Sequence, residues 1–216
     1  MEIRFEKIKV TLPPDGRTLF RIHAWRVPAG EHLLIQGASG LGKTTLLHLA
    51  AGLFVPETGD VHLGPHHLNA LSDEARCRIR RGHVGLVFQK LNLLDHLTAL
   101  ENVLLGQPPA TSKKDARAAA LAALERVGMA ALAGARSAVL SLGEQQRVAV
   151  ARVLAAKPDI VLADEPTSSL DQANADAVMS ALVEVARDRT LVVVSHDQRI
   201  QSRFHKVINF SEMIAR

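Results

Sequence analysis

At 216 residues, with 47% apolar and 22% charged side chains, the chain is long enough to bury a core and too apolar for a disordered or fibrous protein. A net charge of +4 and a pI near 9.6 are compatible with nucleic acid, nucleotide phosphates or an anionic membrane surface as partner. Basic residues gather only in small clusters at 76–81 and 113–117, so no long arm suited to nucleic acid is present. Cys77 is the only cysteine, which excludes an intrachain disulfide and a cysteine zinc site and fits a reducing compartment. No apolar run suits a signal peptide or spans a bilayer, so the chain is expected in the cytoplasm, with any membrane work left to a partner.

The first sixty residues predict a small β-rich lobe of short strands, with turns at Pro13-Pro14-Asp15-Gly16 and Pro28-Ala29-Gly30. Residues 32–36 form a short apolar strand that runs into Gly37-Ala38-Ser39-Gly40-Leu41-Gly42-Lys43-Thr44-Thr45, and 46–51 continue as a helix up to Gly52. Amphipathic helices are expected over 71–81 and 113–127, on either side of a strand at 84–88. Apolar strands at 160–163 and 191–194 bracket a helix at 173–187, which is parallel α/β grammar. With no repeat or linker, the whole chain 1–216 reads as one α/β domain.

Residues 37–44 fit G-x-x-x-x-G-K-[ST], in which glycines let backbone N–H groups turn inward around phosphate oxygens. In that reading Lys43 reaches the β- and γ-phosphates, Thr44 ligates Mg²⁺, and the following helix aims its positive end at the anion. A ligand-free glycine turn is the plainer alternative, and the flanking strand and helix argue against it. Asp164 and Glu165 stand just beyond an apolar strand, where the ligand crevice of a parallel sheet lies. Asp164 suits Mg²⁺ binding, and Glu165 suits polarising the water that attacks the γ-phosphate. A solvated acidic strand end would be preferred if the glycine loop were absent.

Four further segments narrow the class. Ser141-Leu142-Gly143-Glu144-Gln145-Gln146-Arg147 resembles the signature motif of ABC ATPases, Gln89 the family's Q-loop glutamine, Ser169-Leu170-Asp171 its D-loop and His196 its switch histidine. Phe88 to Val103 is similar to the lipoprotein-releasing and macrolide-exporter branch. The resemblance implies a P-loop NTPase core of mainly parallel sheet, an N-terminal antiparallel lobe and a helical lobe inserted at roughly residues 90–140. It further implies ATP and Mg²⁺ as ligands and a head-to-tail dimer. Each nucleotide would lie between residues 37–45 of one copy and Ser141, Gly143 and Glu144 of the other. Gln89 is implied as a contact to metal and attacking water, His196 as a γ-phosphate contact, and Asp171 as the link between the two sites. Integral membrane permease subunits are the implied partners, with the ATPase on the inner face of the membrane powering export of lipoproteins, peptides or drugs.

Two positions depart from the pattern. Leu142 replaces the first signature glycine and is expected to be tolerated because Ser141 and Gly143 remain, although a positive φ there would weaken the dimer; Glu144 stands at the glutamine position, a familiar variant. The chain has no Tyr, the usual base-stacking position falls near residues 10–12, and Phe5 and Phe20 read as core, which implies weak discrimination between ATP and GTP. Rival readings are mechanical signalling to cell-wall hydrolases, a soluble ABC ATPase acting on DNA or the ribosome, and a non-catalytic module. The second would bring paired ATPase domains or a long insertion, and the third could dispense with Lys43, Asp164, Glu165 or His196.

Overall fold

The computed structural model describes residues 1–12, 16–108, 111–168 and 170–215. β1 (Ile3–Leu12) and β2 (Arg17–Val27) pair antiparallel, with β4 (Thr58–Leu63) on the other edge of β1 and β5 (His66–His67) beyond it. At 10 and 11 residues these first two strands are longer than the short ones expected. Alternate residues of β1 are buried, Ile3 and Phe5 and then Ile8 and Val10, with the phase shifted once at Lys7 (φ +52°), and Phe20 and Ile22 of β2 are buried likewise. The turn expected at 13–16 falls largely on residues 13–15, outside the described residues. At Pro28-Ala29-Gly30 the expected turn forms, closed by Glu31 N–H on the Pro28 carbonyl at 3.2 Å with Gly30 at φ +80°.

The second sheet is parallel, in the order β6 (Val84–Val87), β7 (Ile160–Asp164), β8 (Thr190–Val194), β3 (His32–Gln36), β9 (Lys206–Asn209). Its central strands read as unbroken apolar runs because both faces are covered. Val161, Ala163, Leu191 and Val193 face one core, and Ile160, Leu162, Val192 and Val194 face the other. On the second side lie the antiparallel sheet and α1 (Lys43–Ala50); on the first lie α3 (Ala99–Leu104), α4 (Lys113–Arg126), α5 (Leu142–Ala156) and α6 (Gln172–Val185). α2 (Asp73–His83) precedes β6, and α7 (Phe210–Met213) follows β9. Ser72, Ser112 and Asp171 cap α2, α4 and α6 through their side chains, which places the starts within two residues of those expected.

Between Gln89 and Ser141 the chain holds α3, α4 and 3-10 turns at Ala130–Leu132 and Ser137–Val139. Val103, Ala120 and Leu124 of this stretch bury in the same cluster as Val161 and Val193 of the sheet. Asn102, fully buried, organises the segment leading out of Gln89. Its Oδ1 accepts from Leu94 N–H at 2.8 Å, and its Nδ2 donates to the Ser137 hydroxyl at 2.8 Å and to the carbonyls of Leu94 and Thr98 at 3.1 Å. Asn102→Ala strands these partners and should cost about 2–3 kcal/mol in urea unfolding, whereas Leu121→Ala on the outer face of α4 should stay within about 0.5 kcal/mol.

Candidate functional site

Three strand ends meet at one edge of the parallel sheet. Val194 of β8 pairs with Ile35 of β3 on one side and Asp164 of β7 on the other, so the glycine loop, the two carboxylates and Ser195-His196 all leave the sheet together. This is the carboxyl edge, where parallel sheets hold their ligands.

The loop between β3 and α1 needs glycine at particular points. Gly40 lies at φ +79° and Gly42 at φ +104°, and a Cβ on Gly42 would come within 2.7 Å of the Phe20 ring. Gly42 is also the N-cap of α1 and offers no side-chain acceptor, so the N–H groups of the first helical turn remain for an external anion. Lys43 is buried and folds back over the loop, its Nζ donating to the carbonyls of Gly37 and Ala38, both at 2.8 Å. The ammonium is therefore held among the same atoms that would surround a phosphate.

Thr44 Oγ1 donates to Asp164 Oδ2 at 2.7 Å, while Asp164 Oδ1 is buried with no partner. Burial pushes the Asp164 carboxyl up, against the opposing pull of the Thr44 bond, and the charge of Glu165 adds to the rise. Glu165 adopts φ +47°, a left-handed turn made at the end of β7 and fastened by its N–H on the Val194 carbonyl at 2.8 Å. That turn swings its carboxylate toward β8. There it accepts from Ser195 Oγ at 2.9 Å and from the His196 N–H at 3.2 Å, and it pairs with His196 Nδ1 at 2.8 Å. The Glu165 side chain is only 10% exposed and that of His196 70%, so the ring stands between the carboxylate and solvent. A ring that donates from Nδ1 leaves Nε2 free for a further polar group.

The cleft has a volume of about 710 Å³, within the usual range for small-molecule sites. It is lined by Gly37, Ala38, Ser39, Gly40, Gly42, Lys43, Thr44 and Thr45, together with Gln89, Asp164, Glu165 and His196. Leu41 departs from the expectation: its side chain packs into the core beneath the antiparallel sheet rather than lining the cleft. Leu19, which the sequence did not single out, supplies an aliphatic wall. Phe5 and Phe20 are buried as expected.

Ser141, Gly143, Glu144 and Asp171 do not line this cleft. They sit at the N-termini of α5 and α6. Ser141 and Glu144 form a capping box, with the Ser141 N–H and hydroxyl both donating to Glu144 Oε2 at 2.8 Å, and these bonds hold the Glu144 carboxyl below its usual value. Asp171 accepts from the Asn174 N–H at 2.8 Å and side-chain amide at 2.9 Å, and Asn174 in turn accepts from Arg147, so the two helix starts are tied together. Gly143 packs beside Asn174, with room for a Cβ only at 3.2 Å. Leu142 opens the first turn of α5 without positive φ and is 51% exposed, so its backbone does not require the glycine it replaces. Ser169 lies outside the described residues.

The sequence profile of the ABC transporter family matches residues 21–168. The chain belongs to that family. Among its relatives, the lipoprotein-releasing system ATP-binding protein LolD of Legionella pneumophila (strain Paris) is 41% identical over 189 residues, covering 86% of this chain and 83% of that one. LolD of Xanthomonas euvesicatoria pv. vesicatoria (strain 85-10) is 42% identical over 191 residues, covering 86% and 78%. These relatives agree with the branch that Phe88 to Val103 suggested. In three dimensions this ABC chain is similar, at a TM-score of 0.89 and 33% identity, to the dimeric post-hydrolysis state of the ATP-binding cassette MJ0796 bound to ADP and Pi, over 96% of this chain and 93% of that one.

Gly42→Ala, which combines a disfavoured φ with a ring collision, should lower stability by about 1–3 kcal/mol and weaken nucleotide binding in the same variant. Thermal melting and nucleotide titration check the two effects together.

Proposed function

We propose that this chain is the ATP-binding and ATP-hydrolysing subunit of an ABC transporter, working as a head-to-tail dimer beneath integral membrane permease subunits. The observation that carries the reading is the Glu165 carboxylate, gripped by Ser195 and His196 at the mouth of a cleft whose floor is the phosphate loop. Backbone N–H groups of residues 37–45 and the start of α1 receive the phosphates. Lys43 exchanges its carbonyl partners for the β- and γ-phosphates. Glu165 orients the attacking water and takes up its proton, and His196 extends Nε2 toward the γ-phosphate.

Mg²⁺ suits the donors present: the Thr44 hydroxyl, the unpartnered Oδ1 of Asp164, whose other oxygen is bonded to Thr44, and the side chain of Gln89 belong to residues that line the cleft. Among the described residues no group of three or more His, Cys, Asp or Glu could hold a metal, so these side chains would share the ion with phosphate oxygens and water. When bound, the ion supplies charge neutralisation between the phosphates and the two carboxylates. Asp164, carrying a buried charge that burial disfavours, gains most from it.

The second copy enters because Ser141, Gly143 and Asp171 do not line their own cleft, while Ser141 and Gly143 stand at a helix N-terminus suited to phosphate. Since the LolD relatives are ATP-binding proteins of a lipoprotein-releasing system, lipoprotein release is the favoured cargo process. No described helix is long and apolar enough to cross a membrane, so the permease partners would hold the subunit at the inner face.

Glu165→Gln should keep nucleotide affinity within about twofold while cutting phosphate release by about 10²–10³-fold. Equal turnover in both forms would contradict the role. Because Leu19 offers the base an aliphatic wall and no hydrogen bond, kcat/KM for ATP and GTP should agree within about tenfold.

A further inference from the structure

A second polar network lies behind the cleft. Thr167, fully buried, donates Oγ1 to Asp197 Oδ2 at 2.7 Å. Arg199 grips the same carboxylate, with Nη2 on Oδ2 at 2.8 Å, Nε on Oδ1 at 2.9 Å and its backbone N–H on Oδ1 at 3.0 Å. Both terminal nitrogens of the guanidinium also donate, at 3.3 Å, to the carbonyl of Leu170, the residue before Asp171. From Asp197 the network runs on to the cleft, because the Asp197 N–H donates to Ser195 Oγ at 3.0 Å and that hydroxyl donates to Glu165 at 2.9 Å. The path from the Glu165 carboxylate to the start of α6 is unbroken.

Much of this could serve only to cap the 3-10 turn Gln198–Arg203, which Asp197 begins. A cap needs Asp197 and the Arg199 N–H, and nothing more. The grip on Leu170, 29 residues distant in sequence, is extra. So is the fork geometry, which a planar guanidinium provides and an ammonium does not. The Arg199 bonds, with Thr167 assisting against desolvation, bring the Asp197 carboxyl down to about 2, which leaves the pair charged at every working pH.

We propose that Arg199 is a positioning residue. Through Asp197 and the Leu170 carbonyl it clamps Thr167 and Leu170, the residue before Asp171, onto the strand end that carries Ser195 and His196. The carboxylate of Glu165 and the segment that meets the second copy then keep one relative placement. The inference rests on the readings of Glu165 as the hydrolytic carboxylate and of Asp171 as facing a second copy. Its leverage is geometric, since displacing a catalytic group by about 1 Å can cost on the order of 10²-fold in rate.

The test uses the full chain and compares Arg199→Ala, Arg199→Lys, Asp197→Asn and the Arg199→Ala/Asp197→Asn double variant. Arg199→Ala should lower kcat for ATP by about tenfold while KM stays within about twofold and the melting midpoint holds. Arg199→Lys should recover only part of the loss, because a point charge cannot hold two carboxylate oxygens and a carbonyl at once. The double variant should be no slower than the worse single one, as expected for groups acting as a unit. Wild-type kcat in Arg199→Ala overturns the proposal, as does a parallel fall of kcat, nucleotide affinity and melting midpoint, which marks a scaffold role alone. Turnover insensitive to Glu165→Gln overturns the hydrolytic reading and the purpose of the clamp with it. Turnover lost in Glu165→Gln and retained in Arg199→Ala overturns the clamp alone.

Discussion

Strand β8 lies between β3 and β7, and its last residue, Val194, touches Ile35 on one flank and Asp164 on the other. Because parallel strands end at a common edge, this pairing sets the phosphate loop, both carboxylates and His196 around one cleft. A side-chain period of two then gives each central strand a face in each core, so the strand ends are held by packing from both sides. The chemistry at the edge inherits its precision from that double burial.

Electrostatics decides what the cleft can take. Two adjacent carboxylates, Asp164 and Glu165, would repel a polyphosphate if left bare. Lys43 sits within the loop, His196 covers Glu165, and the first turn of α1 offers unpaired N–H groups. The buried Asp164 oxygen without a partner marks where one more positive charge is called for. Across the molecule, the capping box at Ser141 keeps an anionic Glu144 next to a hydroxyl, and on the proposed head-to-tail reading a nucleotide held by a second copy would compete with that carboxylate for Ser141.

The cleft was legible in the sequence to the extent that its parts are contiguous. Residues 37–45 carry loop, cation and hydroxyl in one run, and Asp164-Glu165 follow an apolar strand that period and composition reveal. The helices capped by Ser72, Ser112 and Asp171 were readable from their local composition and periodicity. What stayed hidden depends on distant packing. Leu19 reaches the cleft only because β2 lies against the glycine loop, and Asn102 draws its partners from Leu94 through Ser137. The Arg199 network joins residues 29 and more positions apart. β9 is a four-residue strand at the sheet edge with no fully buried position, too short and too weakly patterned to stand out. At Leu142 the sequence left the backbone conformation open, and the first turn of a capped helix gives it an ordinary one, in keeping with a tolerated replacement.

The central claim is that each site is complete only when a second copy brings its α5 N-terminus to the bound nucleotide. Light scattering on Glu165→Gln, with and without Mg-ATP, tests it most directly, because the stalled variant holds its nucleotide long enough to accumulate the assembled state. The account predicts a mass that doubles on adding Mg-ATP and returns to the monomer when Ser141→Arg is added to the same chain. A mass unchanged by Mg-ATP while nucleotide is demonstrably bound, or a doubling that Ser141→Arg leaves intact, would contradict it.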